Sequence, residues 1–415
     1  MTRASIKGKS EGGHRPRRWI GFSLATVVAV ALGLIAVAGC AGFGADPEGE
    51  RLAHAQHSPQ WHGDKFQGPQ ALWSDVSYSK LLFGSGKTGV VPDAPVPYLA
   101  TDAALLARPP TSGLRVTWFG HSSALVEIDG VKVLTDPLWG ERTSPFPWIG
   151  PQRWFPPPMA LQALADIDAV VISHDHYDHL DRASIVEMLR WRAVFVVPLG
   201  VGAHLARWGV PEQRIVQLDW WQSTRVGSVE LVATPARHGS GRYSAKSNKT
   251  LWAGYAMLGP RHRAWYSGDT GFHDDLPRIG EDYGPFDVTM IEAGQYDVNW
   301  PDTHLGPEQA VDAHRLVRGE TMIPVHWALI KLADHGWTEP VERVLAAAQC
   351  LGVNVTVPRP GESIEPVPYV KTAPWWPQLP WQTASQSPVV ATKNGDPAER
   401  VAVAPCVGKA QSAVR

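Results

Sequence analysis

From about residue 113 onward, apolar and polar positions alternate with strand and helix periodicity, and glycine, aspartate and proline punctuate the runs. Leu114 to Phe119 and Ala124 to Ile128 are short β-patterned runs, Asp129-Gly130 is a hairpin turn signal, and Val131-Lys132-Val133-Leu134 is the return strand. A long loop rich in proline and aromatic residues follows, from Trp139 through Pro145, Trp148 and Trp154 to Pro158. It reads either as a stiff surface excursion or as one wall of an apolar substrate cleft. The uniformly apolar Ala169-Val170-Val171-Ile172 predicts a buried strand. The pattern then predicts helices over 183–190 and 201–208, and strands over 193–198, 214–218 and 229–234. Helices and strands go on alternating to about residue 357, which is the pattern of α/β layering.

The buried strand empties into His174-Asp175-His176-Tyr177-Asp178-His179, an H-x-H-x-D-H cluster. Residues two apart on an extended segment share a side, so His174 and His176 can point at one ion. A turn into a helix at Asp178 would let that carboxylate and His179 face a second ion. A site for two metals needs further ligands from other strand ends. His238 follows the strand Leu231 to Thr234, and His326 follows Met322-Ile323-Pro324-Val325. Asp269 lies in Ser267-Gly268-Asp269-Thr270-Gly271, where the flanking glycines permit a tight turn that aims the carboxylate inward. A single histidine at a strand end is usually no ligand, and the argument rests on the set.

Outside this region the pattern is different. Arg15, Arg17 and Arg18 precede an uncharged apolar run, Ile20 to Gly39, which closes on Val37-Ala38-Gly39-Cys40. This resembles the signal segment and lipobox of a bacterial lipoprotein, and implies cleavage before Cys40 with lipidation of its thiol and new amine. An uncleaved anchor is the rival reading, because the run is long enough to span a bilayer. Either reading puts the folded part in the cell envelope of a bacterium, outside the cytoplasm and held to a membrane. The expected organisation is a signal peptide over 1–39, a tether over 40–65, an N-terminal arm over 66–112, a main α/β domain over 113–370 and a disordered tail over 371–415. The tail is Pro, Ala, Ser, Thr and Val without periodicity, with Trp375, Trp376 and Trp381 at its start as residues able to pack back.

Composition removes some classes of function. Three cysteines, Cys40, Cys350 and Cys406, exclude a disulfide scaffold and a cysteine–zinc site. Cys350 sits in a helical pattern and reads most simply as a small buried hydrophobe, with a Cys350–Cys406 bridge left open. Without residues 1–39, which hold six basic residues and one acidic, the net charge falls from −2 to −7. No basic stripe with interleaved aromatics appears, so nucleic acid is not an expected partner.

His174, His176, Asp178, His179, His238, Asp269 and His326 resemble, in that order, the ligand series of the metallo-β-lactamase superfamily. Trp118-Phe119-Gly120-His121, Leu134-Thr135-Asp136-Pro137, the 142–153 loop, Leu218-Asp219-Trp220-Trp221 and Val325-His326-Trp327 narrow it. Together with His304 before Pro307-Glu308-Gln309-Ala310-Val311, they resemble N-acylphosphatidylethanolamine-hydrolysing phospholipase D over about residues 66–365. The resemblance implies a four-layer αβ/βα sandwich with metals at one edge, between the sheets. It implies two Zn²⁺, with iron or manganese compatible with the same ligands. His174, His176 and His238 would hold one ion, Asp178, His179 and His326 the other, with Asp269 bridging. His121 and Asp136 would orient ligands. A hydroxide shared by the ions would attack phosphorus, and His304 would assist the leaving group, so Asp178, Asp269 and His304 carry the catalytic roles. The implied substrate is N-acylphosphatidylethanolamine or a related phospholipid. Two other readings stay open: the same fold acting on a lactone or soluble phosphodiester, and a non-catalytic metal-binding envelope lipoprotein.

Overall fold

A computed structural model describes residues 1–2, 41–75, 89–164, 166–242 and 247–403. All but the first two residues of the predicted signal segment, with Cys40 and Cys406, therefore lie outside the described residues. The chain enters through a helix, Gly49–Gln56, and a small hairpin of β1 (Trp61–His62) and β2 (Lys65–Phe66). Seven strands make one sheet in the order β16-β3-β4-β5-β6-β7-β8. They are β3 (Leu114–Gly120), β4 (Ser123–Ile128), β5 (Val131–Thr135), β6 (Ala169–Val171), β7 (Val194–Pro198) and β8 (Ile215–Leu218), closed by β16 (Ser363–Ile364). The second sheet has the order β15-β14-β13-β12-β11-β10-β9. Its strands are β9 (Ser223–Val226), β10 (Val229–Thr234), β11 (Gly254–Leu258), β12 (Arg263–Tyr266), β13 (Phe286–Glu292), β14 (Gly319–Val325) and β15 (Asn354–Val355).

Side-chain alternation decides which face each strand gives to which layer. In β4 to β7, Ala124, Val126, Val133, Ala169, Val171 and Val196 belong to the core between the sheets, with Leu231, Ala233, Tyr255 and Trp265 opposite. The intervening Leu125, Leu134, Val170, Phe195 and Val197 face the other way. They join a second core with Ile185, Met188 and Leu205 of the helices Arg182–Glu187 and Gly202–Arg207 and the short turn between them. Helices Leu276–Tyr283, Pro307–Leu316 and Glu339–Leu351 flank the second sheet. Helices on both outer faces of two sheets give the four-layer αβ/βα sandwich the sequence predicts.

The strand directions decide where chemistry can sit. β5, β6 and β7 run parallel, as do β12, β13 and β14. β10 is two antiparallel steps from β12 and so runs with it. The carboxyl ends of β5, β6, β10, β12 and β14 are followed by Asp136, His174, His238, Asp269 and His326.

Four expectations are corrected. Asp178 and His179 lie in a turn, not a helix; helix begins only at Arg182, where Asp181 caps the Ala183 and Ser184 amides at 3.1 Å. Cys350 is exposed and disulfide-bonded, not a buried hydrophobe. The described part of the predicted tether, from Ala41, is docked: Trp208 Nε1 donates to Ala41 O at 2.7 Å and Arg242 to Gly42 O at 2.9 Å. The predicted disordered tail packs on the domain over its described part. Trp375 stacks on Trp327 at 5.4 Å, and Trp327 on Trp118 at 5.7 Å. Farther along, buried Asp302 accepts from Thr392 N at 2.6 Å, from Thr392 Oγ1 at 2.5 Å and from the arm's Trp73 N at 2.7 Å. One carboxylate thus ties arm and tail to the domain.

Candidate metal centre

The turn after β6 holds most of the chemistry, and its neighbours determine how each ring points. Asp136, just past β5, accepts from Ser173 N at 2.7 Å, Ser173 Oγ at 2.5 Å, His179 Nδ1 at 2.7 Å and Tyr266 OH at 2.5 Å. With Nδ1 donating to Asp136, His179 presents Nε2 as a lone pair. His238 Nδ1 donates to Thr303 O at 2.8 Å and His326 Nδ1 to Gly294 O at 3.2 Å. His174 Nδ1 donates to Ser173 Oγ at 2.9 Å, since that hydroxyl proton is committed to Asp136. Four imidazoles are therefore turned with Nε2 inward.

The inward atoms form two groups. His174, His176 and His238 are one: His176 Nδ1 lies 2.8 Å from His174 Nε2 and 3.3 Å from His238 Nε2. His121, Asp178, His179 and His326 are the other, with the Nε2 atoms of His179 and His326 3.3 Å apart. Asp269 reaches both: its Oδ2 is 3.0 Å from His179 Nε2, 3.1 Å from His326 Nε2 and 3.9 Å from both His174 Nε2 and His238 Nε2. Asp269 Oδ1 is buried with no hydrogen-bond partner among the described residues. His121 Nε2 donates to Asp178 Oδ2 at 2.9 Å, as expected of a residue that orients a ligand. All nine histidines and aspartates predicted for the metals and their support converge here.

Acceptors facing acceptors at these separations need positive charge between them. In the bare side chains protons supply it. Burial works against charge on His326, yet the Asp269 carboxylate and the hydrogen bonds to Asp178 and Asp269 prevail and hold its ring up at about 10. Burial likewise disfavours charge on Asp178 and Asp269, but the surrounding imidazoles, His179 foremost, keep both well below the usual carboxylate range. His174 and His238 are pushed well down by burial and stay neutral, the form that ligates. A donor set of imidazoles and carboxylates fits one or two divalent cations. Strain marks the same place: His121, Asp136 and His326 have φ of +50°, +32° and +68°, a region most residues avoid.

His304 stands at the rim, before the helix Pro307–Leu316, with 15% of its side chain accessible. Its ring stacks on His326 at 5.2 Å, and its Nδ1 donates to Glu292 Oε2 at 2.7 Å. Glu292 escapes sequence reasoning. It ends β13, is fully buried, and also takes the Thr270 amide, next to Asp269, while lying 3.4 Å from His326 Nδ1. A carboxylate closing an apolar strand is the same kind of signal that finds His238 and His326. Beside His238, Lys65 and arm residues 67–72 wall a cavity of about 500 Å³ whose other sides include Trp220, Arg237, Trp252 and His273.

A sequence profile described as the beta-lactamase superfamily domain matches residues 131–327, the stretch that holds all seven predicted ligands. An uncharacterised protein of Mycobacterium tuberculosis is 52% identical over 289 residues, 69% of this chain and 77% of that one. A Caenorhabditis elegans protein named N-acyl-phosphatidylethanolamine-hydrolyzing phospholipase D 1 is 38% identical over 228 residues, 52% of this chain and 64% of the worm protein. The Saccharomyces cerevisiae protein named as the mitochondrial enzyme of that activity is 28% identical over 246 residues, covering 56% and 51%. With two mixed sheets, flanking helices and His/Asp clusters at their shared edge, the chain belongs to the metallo-β-lactamase superfamily and has the build of a metal-dependent hydrolase.

Proposed function

We propose that the chain is a two-zinc phosphodiesterase of phospholipase D type that hydrolyses N-acylphosphatidylethanolamine or a related phospholipid to phosphatidate and an N-acylethanolamine. The observation that carries the reading is the position of Asp269 Oδ2 between two imidazole groups, beside an accessible His304. His174, His176 and His238 would hold one zinc, Asp178, His179 and His326 the other, and Asp269 both. When bound, such a pair supplies hydroxide at neutral pH and stabilises charge growing on phosphoryl oxygens.

The chain's own residues do the rest. Asp136, Ser173, Thr303 and Gly294 O fix which ring nitrogen each histidine offers. Glu292 accepts the Nδ1–H of His304, and in the imidazolium form of that ring the Nε2–H is the edge able to give a hydrogen bond or a proton to the departing oxygen. The choice of a phospholipid is supported by the similarity to the two proteins named for that activity. Lipidation of Cys40 would put enzyme and substrate on one surface. A disulfide at Cys350 fits an oxidising compartment outside the cytoplasm. No helix among the described residues is long and apolar enough to cross a membrane.

The test is a comparison of substrates with the zinc-loaded full chain: N-acylphosphatidylethanolamine in vesicles, bis(4-nitrophenyl) phosphate, and an N-acyl homoserine lactone. The proposal predicts release of phosphatidate and N-acylethanolamine from the first. Turnover confined to the lactone would overturn it.

A further inference from the structure

The first described residues after Cys40 are seated on one particular loop. Gly42 packs so closely on Pro145 that a Cβ there would come within 2.4 Å of the Pro145 carbonyl oxygen. Phe43 meets Phe146 edge-on at 6.0 Å. Gly44 has φ +78° and leaves no room for a Cβ beside His204, whose Nδ1 accepts from Ala45 N at 3.0 Å. With the Trp208 and Arg242 bonds to Ala41 and Gly42, the segment Ala41-Gly42-Phe43-Gly44-Ala45 is a docking peptide, and its two glycines are where the fit requires them.

The loop under it is stiff and ends in apolar side chains. Arg142 and Thr143 close its two arms, Nη1 of Arg142 donating to Gly150 O at 2.7 Å and Thr143 N to Pro151 O at 3.0 Å. Pro145, Pro147 and Pro151 restrict the tip. Trp148 and Ile149 stand at that tip with 52% and 59% of their surface exposed, the largest exposures of any large hydrophobic residue from Ala41 onward among the described residues. Trp148 also packs on Phe146 at 5.3 Å, so the tip is continuous with the docked N-terminal segment. Three residues of chain span at most about 11 Å, so Trp148 emerges close to the Gly42–Pro145 contact, and Gly42 is two positions along the sequence from Cys40.

We propose that Trp148 and Ile149 insert into the headgroup region of a phospholipid bilayer beside the N-terminal segment, orienting the catalytic edge toward the membrane. The orientation rests on the reading of Cys40 as a lipidated residue. Three observations select a lipid surface as the occupant. The apolar run Ile20 to Gly39 ends two residues before Ala41, at the place where the chain meets this loop. Tryptophan beside an aliphatic residue at a stiff tip suits a boundary between headgroups and acyl chains. A net charge of −7 after residue 39 gives no general attraction to anionic lipid, so contact has to be apolar. The same loop leaves β5 directly after Asp136, and Gly140 N donates to Asp181 Oδ2 at 2.8 Å, so its base belongs to the edge that carries the metal cluster.

The full chain, reconstituted in phosphatidylethanolamine–phosphatidylglycerol vesicles doped with a tail-diazirine phosphatidylcholine, is irradiated and its peptides mapped by mass spectrometry. The proposal predicts label on the 144–150 peptide, unchanged by high salt, and none on peptides carrying Val91 or Val370, which are 46% and 49% exposed. The double variant Trp148→Ser/Ile149→Ser, with the melting temperature of the parent, should lose label at Phe146 as well. Label on 144–150 no stronger than on the Val91 and Val370 peptides overturns the docking. The mass of the N-terminal peptide reads the anchor separately. Lipid on Cys40 with an unlabelled tip overturns docking alone, and a labelled tip without that lipid sustains docking while removing the anchor.

Discussion

Asp136 touches no expected metal yet four donors converge on it, from Ser173, His179 and Tyr266. An asparagine cannot accept all four, and the amide would turn a donor toward one of them. Asp136→Asn should weaken binding of the metal at the His179 group about 10- to 100-fold, read by competition with a chelator of known affinity. Unchanged affinity would show that the His179 ring is fixed by other contacts. Asp269→Asn should lower metal content from two ions toward one per chain and remove most hydrolysis, because Oδ2 is the atom shared by both groups. Two ions retained, with activity intact, would contradict the bridging role. Glu292→Gln should keep both metals and cut kcat about 10- to 100-fold with little change in KM, because its role is to hold His304. Loss of metal in that variant would instead make Glu292 part of the His326 support. The convergence of the seven predicted ligands is legible because each follows an apolar strand or lies in a glycine-bounded turn. Glu292 obeys the same rule, but a lone glutamate at a strand end has no motif to set it apart.

The strands were the most legible elements. Period-two alternation in β4 and β5 sorts Ala124, Val126 and Val133 from Leu125 and Leu134, and the structure assigns those sets to two cores. The turn at 178–181 was less so, since helix begins only where Asp181 can cap it. Composition misled most at the C-terminal segment. Proline, alanine, serine and threonine carry no periodicity, but Trp375 and Thr392 are single anchors, and a few good contacts hold an irregular chain in place. Trp375→Ala should cost about 3 kcal/mol, seen as a lower denaturation midpoint with the slope retained. A chain ending at residue 370 should be less stable than one ending at 403, which keeps Asp302 paired with Thr392. Equal midpoints for the two would mean that the segment is a passive covering.

On the scale of the whole molecule, two sheets bring the carboxyl ends of their parallel strands to one edge, and the metals are expected to complete it. Buried carboxylates and imidazoles face each other there, so binding to the folded chain should stabilise it. Removing metal with a chelator should lower the melting temperature by roughly 5 °C or more, and zinc should restore it. A melting curve indifferent to both would argue that the cluster holds protons instead of ions.

The central claim is hydrolysis at phosphorus by this metal edge, and it is tested most directly by isotope. The zinc-loaded full chain is given N-acylphosphatidylethanolamine in ¹⁸O-water, and both products are weighed by mass spectrometry. The account predicts phosphatidate carrying one ¹⁸O and unlabelled N-acylethanolamine, abolished by a chelator and absent for His304→Ala. Label in the N-acylethanolamine, or no phosphatidate from a chain verified to hold two zinc ions, would contradict it.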